Sequence, residues 1–125
     1  MSSFELEVIY EGRALTVFGV VVPGRGCLAS AWLEGLPVQP QAQFRARLDR
    51  LTEVGFLRSP EEMRPLQCNG EPPVHEIKTR SGHRLYVIRS RQDWVATHGA
   101  VKPPDRKVCA QAERARGIWK EAQEQ

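Results

Sequence analysis

Lys78, Arg80, His83, Arg84, Arg89, Arg91, His98 and Lys102 all fall within 25 positions of one another. Ammonium, guanidinium and imidazole groups at that density grip phosphates, and His and Lys can also move protons. The segment carrying them reads as three short strands. Glu76-Ile77-Lys78-Thr79-Arg80 runs into a Ser81-Gly82 turn, and His83-Arg84-Leu85-Tyr86-Val87-Ile88-Arg89 follows. After a second turn over 90–93, Trp94-Val95-Ala96-Thr97-His98 closes the set. A sheet that gathers so many cations on a compact surface points to RNA or DNA before a small metabolite. Strand alternation places Arg84, Tyr86 and Ile88 on one face and Leu85, Val87 and Arg89 on the other. Arg84 stands out, because an arginine inside a strand pattern needs an anion or solvent.

The elements that must hold this meander can be read from either side of it. The alternation Phe4, Leu6, Val8, Tyr10 against Glu5 and Glu7 predicts a half-wet strand, and the apolar run 15–22 predicts one buried on both faces. Together they form an expected N-terminal hairpin over 4–22. Residues 27–34 suit a short helix. Phe44, Leu48, Leu51 and Val54 follow helical spacing, so a second helix is expected over 41–54, capped by Gly55. The helical region spans 27–55. Arg45, Arg47 and Arg50 fit the solvated face of that helix.

Four prolines and Asn69-Gly70 between 57 and 73 predict an ordered loop, pinned by Met63 and Leu66. The meander occupies 74–98. Pro103-Pro104-Asp105 suits the first turn of a last helix over 104–122, with Val108, Ala112, Ala115 and Trp119 on its apolar stripe. The chain reads as a single domain, 1–125, of α+β class. Its expected order is β-β-α-α-loop-β-β-β-α, an antiparallel sheet with the helices packed on one side.

Charge is divided unevenly. Residues 1–73 hold seven arginines against nine acids, net −2, while 74–125 hold eleven Lys and Arg against six acids, net +5. The basic function therefore belongs to the C-terminal half. A hydrophobic fraction of 41% excludes the disordered class. No apolar run approaches the ~20 residues that cross a bilayer, and no signal-peptide pattern opens the chain, so a cytoplasmic protein without a membrane partner is expected. Cys27, Cys68 and Cys109 are scattered, with no Cys-x-x-Cys pair, and the expectation is reduced structural thiols, with neither a disulfide framework nor a zinc site. A valine-rich 15–22 strand left at a sheet edge would favour a homodimer.

The order and motifs resemble the RelE/ParE superfamily of bacterial toxins, and within it the phage-derived HigB-like group. The likeness runs from about Trp32 to Arg116. A short helix ending at Leu36-Pro37 precedes a helix of the form Arg-x-x-Leu-Asp-x-Leu-x-x-x-Gly, here Arg45 to Gly55. Arg64-Pro65-Leu66, His75-Glu76-Ile77-Lys78, His83-Arg84-Leu85-Tyr86-Val87 and Thr97-His98-Gly99-Ala100-Val101-Lys102 then follow in the family's order. The chain departs from the family pattern at Lys78, where an arginine is usual, and at Ala100, where a phenylalanine is usual.

The resemblance implies a toxin of a type II toxin–antitoxin pair that cleaves mRNA, in many relatives on the ribosome, without metal or cofactor. It implies a cognate antitoxin, frequently a helix-turn-helix protein, as partner. Metal-free cleavage by 2′-hydroxyl attack needs a base, a cation at the phosphorane and an acid for the leaving oxygen. Carried over, Lys78, Arg84, His98 and Lys102 form the catalytic set, and Arg80, His83, Tyr86 and Arg89 contact nucleic acid. The alternative is a non-catalytic protein on the same fold: a gyrase poison, a phage modulator of a host machine, or a degenerate toxin.

Overall fold

The computed structural model describes residues 5–123, so Phe4, the expected start of the first strand, lies outside them. The elements in chain order are β1 (Glu5–Glu11), β2 (Thr16–Val22), β3 (Gly26–Cys27), α1 (Leu28–Glu34), α2 (Val38–Val54), β4 (Met63–Pro65), β5 (His75–Lys78), β6 (His83–Ser90), β7 (Asp93–Val101) and α3 (Val108–Gln123). A single 3₁₀ turn, Asp105–Lys107, leads into α3. The α+β class holds, and so does the expected succession, with two additions. β3 is a two-residue strand, and β4 lies inside the proline-rich segment. A strand survives there because β4 is the last in the sheet, and Pro65, at its end, needs no ladder partner on its outer side.

The seven strands form one sheet in the order β1-β2-β7-β6-β5-β4, with β3 added to β2. It is mixed rather than antiparallel, because β2 and β7 run parallel through Val17↔Trp94, Phe18↔Val95 and Gly19↔Ala96. β2 is apolar from Val17 to Val22 and buried on both faces, as suits a strand in the sheet interior, where its backbone groups find a partner strand on each edge. β1 supplies one neighbour and β7 the other. β2 is therefore interior, and the dimer expected through a valine-rich edge loses its basis.

The helices lie on both faces of the sheet, not on one. Leu85, Val87, Trp94 and Ala96 point into a core with Ala29 and Leu33 of α1 and Phe44, Leu48 and Leu51 of α2. Tyr86 and Ile88, the alternate positions of β6, pack on Ala112 and Ala115 of α3, while Val20, Val22 and Val95 pack on Ile118 and Ala122. Both faces of β2, β6 and β7 carry apolar side chains, and one helical layer would leave one set in water.

Local chemistry fixes the supports. Gly55 takes φ 102° as the left-handed cap of α2, and its N–H donates to Leu51 O at 2.8 Å. Met63 and Leu66 are buried, as expected of residues pinning the loop. Gly99 lies beneath the Trp32 ring so closely that a Cβ there would come within 2.0 Å of it. Arg47 and Arg50 do not form a free solvated face. With Arg58 they converge on Glu62, whose side chain is 2% exposed.

The cysteines also depart from expectation. Cys68 and Cys109 form a disulfide that ties the loop before β5 to the first turn of α3, and Cys27 alone is a free thiol. Their separation of 41 residues hid the pairing, since only the tertiary fold brings them together.

Candidate phosphate-binding face

Registers across the four C-terminal strands build the site. Arg64 of β4 pairs with Glu76 of β5, Glu76 with Tyr86 of β6, and Tyr86 with His98 of β7. Paired residues share a face, so these four form one row on the α3 side. Two positions along, Lys78 pairs with Arg84, and Arg84 with Ala100. A bulge after Tyr86 shifts β7 by one residue, so that His98, not Thr97, stands opposite Tyr86.

Glu76 organises the cations. Its Oε1 accepts from Arg64 Nε at 2.6 Å, and its Oε2 lies 3.6 Å from Arg84 Nε. Glu76 is fully buried and Arg84 is 7% exposed. Arg84 also donates to His83 O at 3.1 Å. Lys78 Nζ donates to Pro60 O at 3.1 Å. Burial first, and then the charges of Arg64, Arg84 and Lys102, lower the pKa of Lys78, with Glu76 opposing. Arg64 and Arg84 thus share one carboxylate, with Lys78 beside them and Lys102 within electrostatic reach of Lys78, and the surplus of positive charge suits a phosphodiester.

Behind the cations lies a neutral polar row. Tyr86 and His98 stack with ring centroids 4.7 Å apart and planes 19° apart. His98 Nε2 lies 2.8 Å from Gln111 Oε1 on α3, and Nδ1 lies 3.1 Å from Thr97 Oγ1. Burial drives the His98 pKa down to about 4, assisted by the Arg114 charge and opposed by the Gln111 bond. Burial, and then the Glu76 charge, push the Tyr86 phenol up to about 12. Both are therefore neutral at pH 7. Among the described residues, the buried Tyr86 hydroxyl has no hydrogen-bond partner.

The expected site residues separate into groups. Lys78, Arg84, Tyr86 and His98 come together, with Lys102 within electrostatic reach, and Arg80 is exposed on the turn at the same end. His83 faces the other side, its Nδ1 2.7 Å from Ser81 Oγ and its ring 6.0 Å from Trp32. Arg89 lies at the far end of β6 on the α2 side, its guanidinium 4.8 Å over the Trp94 ring. Neither joins the row.

Sequence reasoning assigned no role to Arg64, Glu76, Gln111 or Arg114. A period-two reading of β5 would have found Glu76, which must share a face with Lys78. Gln111 lies on a helix, and its contact with His98 has no local signal.

A groove of about 250 Å³ lies elsewhere, between β1 and the α1–α2 pair, lined by Glu7, Tyr10, Glu34, Phe44 and Arg45 among others. Its two carboxylates oppose phosphate binding, and we place the candidate site on the cationic row. Among the described residues no group of three His, Cys, Asp or Glu side chains is gathered as metal ligands, and no helix is long and apolar enough to cross a membrane. No family model matches the chain, and no curated protein matches it.

Proposed function

We propose that this chain is an RNA endonuclease of the toxin–antitoxin type, binding RNA on the α3 side of β5 and β6. One observation carries the reading: the β5–β6 register sets Lys78 opposite Arg84, on a face where Arg64 and Arg84 share the Glu76 carboxylate. In the proposed reaction a 2′-hydroxyl gives its proton to solvent as its oxygen bonds the adjacent phosphorus, and the P–O5′ bond breaks as that oxygen takes up a proton, giving a 2′,3′-cyclic phosphate and a 5′-hydroxyl. Arg84, held by Glu76, stabilises the charge on the phosphorane. Lys78, whose proton is loosened by burial and by its cationic neighbours, protonates the leaving oxygen. Lys102 and Arg80 hold flanking phosphates. Tyr86 and His98 are positioning residues in this scheme, fixing the floor beneath the phosphate. The antitoxin, the ribosome and a cytoplasmic setting belong to the same proposal.

A second reading has its own support. Both nitrogens of His98 have partners and Glu76 is shared by two guanidinium groups, so neither is a ready general base. A non-catalytic protein that grips a phosphate-bearing or acidic partner on the same face would need none.

Tightly induced expression in a bacterium, with mapping of new transcript 5′ ends within minutes, separates the two. The endonuclease reading expects new ends inside coding regions, lost in a Lys78→Ala, Arg84→Ala protein whose folding is verified by circular dichroism. Growth arrest with intact transcripts would support the binding reading and exclude the first.

A further inference from the structure

The Tyr86–His98 row has a roof, and the roof has a covalent fastening. Residues 66–74 form a loop closed at its base by Leu66 N–H donating to Val74 O at 2.9 Å. Leu66 and Val74 are buried against Tyr86 and Ile88, beside Ala112 and Ala115 of α3. The loop and α3 together shut Tyr86 and His98 from solvent.

Two ties hold the loop to the helix. The first is the Cys68–Cys109 disulfide, at the first turn of α3, with Cys109 exposed and Cys68 half-buried. The second is Arg116, which donates to Pro72 O and Asn69 O at 2.9 Å and to Cys68 O at 3.5 Å. The turn that carries Cys109 runs directly into Gln111, the residue that holds His98. Only the covalent tie can be broken chemically while the rest of the fold stays intact.

We propose that the Cys68–Cys109 bond is a thiol-operated latch over the Tyr86–His98 row beside the cations: closed when oxidised, and opened by a cellular dithiol so that an RNA phosphate reaches Tyr86 and His98. The proposal of an opening stands on the geometry alone, and its consequence for RNA rests on the function proposed above. In the exchange, a thiolate of the reductant attacks one sulfur to form a mixed disulfide and releases the other cysteine as a thiolate. The reductant's second thiol then resolves the mixed disulfide. The dithiol is oxidised to a disulfide, and Cys68 and Cys109 take up two electrons and two protons as free thiols. With the bond gone, Arg116 and the loop base still hold the roof, so opening is local and reversible.

Hydrogen–deuterium exchange on the full chain tests the opening, comparing the oxidised protein, the protein reduced with dithiothreitol, and a Cys68→Ser, Cys109→Ser variant. Exchange over 66–74 and the first turn of α3 should rise on the order of tenfold or more in both open forms, with α2 unchanged. Diethylpyrocarbonate labelling of His98 should rise in parallel. Equal exchange in all three states would overturn the latch. A rise extending to α2 would also overturn it, making the bond a global staple. An Arg116→Gln protein, kept oxidised, should open the loop tip while the α3 turn stays protected, and loosening of that turn as well would show the bond does not hold it. Filter binding of a labelled oligoribonucleotide is then compared between oxidised and reduced protein. Tighter binding by the reduced form supports the full proposal. Local opening with no RNA binding in either state leaves the latch standing and refutes the RNA reading. Equal RNA binding in both states refutes the latch's control of the site.

Discussion

Lys78 faces Arg84 across the β5–β6 ladder, and both stand on the sheet face that α3 covers only in part. The two differ in what holds them. Arg84 is buried and bound to Glu76, whereas Lys78 is half-exposed and bonded to the Pro60 carbonyl. A buried arginine is part of the fold as well as of the site, and the lysine is the cleaner probe.

Lys78→Ala should therefore leave stability nearly unchanged and weaken binding to a single-stranded RNA roughly tenfold, with the salt slope reduced by about 1. Arg84→Ala should weaken binding and also cost about 2 kcal/mol, because the buried Glu76 loses one of the two guanidinium groups it pairs with among the described residues. Filter binding at several salt concentrations and urea denaturation measure the two effects. A Lys78→Ala protein with undiminished affinity would remove Lys78 from the site.

Glu62 makes a second prediction, about stability. Burial disfavours its charge, but the Arg58 backbone N–H, the Arg58 and Arg50 guanidinium groups and the Arg47 charge outweigh burial and hold the carboxyl at about 2, below its ordinary 4.5. A folded-state pKa below the unfolded one gives stability that is present above pH 4.5 and lost as pH falls through about 2. Glu62→Gln should cost about 3 kcal/mol at pH 7, where three arginines would lose their counter-charge. The gap between wild type and variant should close as pH drops through that window. Chemical denaturation at a series of pH values checks it, and a pH-independent gap would exclude the charge as its source.

The sequence disclosed what lies along the chain and hid what lies across it. Hydrophobic period gave the hairpin, α2 with its Gly55 cap, the meander and α3, because each is written in neighbouring residues. The parallel β2–β7 pairing, the helices on both faces and the Cys68–Cys109 bond all join distant segments, and no local pattern records them. The site divides in the same way. Lys78 and Arg84 could be read from the meander, whereas Arg64 comes from a proline-rich segment that hides a strand, and Gln111 from a helix that reads as mere cover. Arg89 and His83 join the expected site only through their charge and their nearness in sequence. The register sets His83 on the opposite face of the sheet, and Arg89 on that face at the far end of β6.

Gly99 carries a packing prediction. Trp32 of α1 covers it so tightly that a Cβ would come within 2.0 Å of the indole, whose rigid ring cannot bend aside. Gly99→Ala should cost about 2 kcal/mol, within the usual range for overpacking. Shortening the neighbour with Trp32→Leu should recover part of that loss, giving a favourable coupling in a double-mutant cycle. Thermal or urea denaturation of the four proteins measures it. Simple additivity would show that the strain at Gly99 is not against Trp32.

His98 ties the buried row to pH. In the folded chain its pKa lies near 4, and its ordinary value is 6.5. Between those values the unfolded chain binds a proton that the folded chain refuses, so stability rises with pH across the window. The contribution is fully present above pH 6.5 and is lost as pH falls toward 4. A shift of that size corresponds to as much as about 3 kcal/mol. His75, whose pKa is also lowered, by burial and by the Arg89 charge, adds to the slope in the same direction. His98→Gln, with no imidazole to protonate, should lose stability at pH 7 and show a flatter dependence between pH 6.5 and 4. Nuclear magnetic resonance titration of the His98 ring protons provides the direct check. A midpoint near 6.5 in the folded protein would mean that the ring is open to water, and the closed roof over Tyr86 and His98 would have to be abandoned.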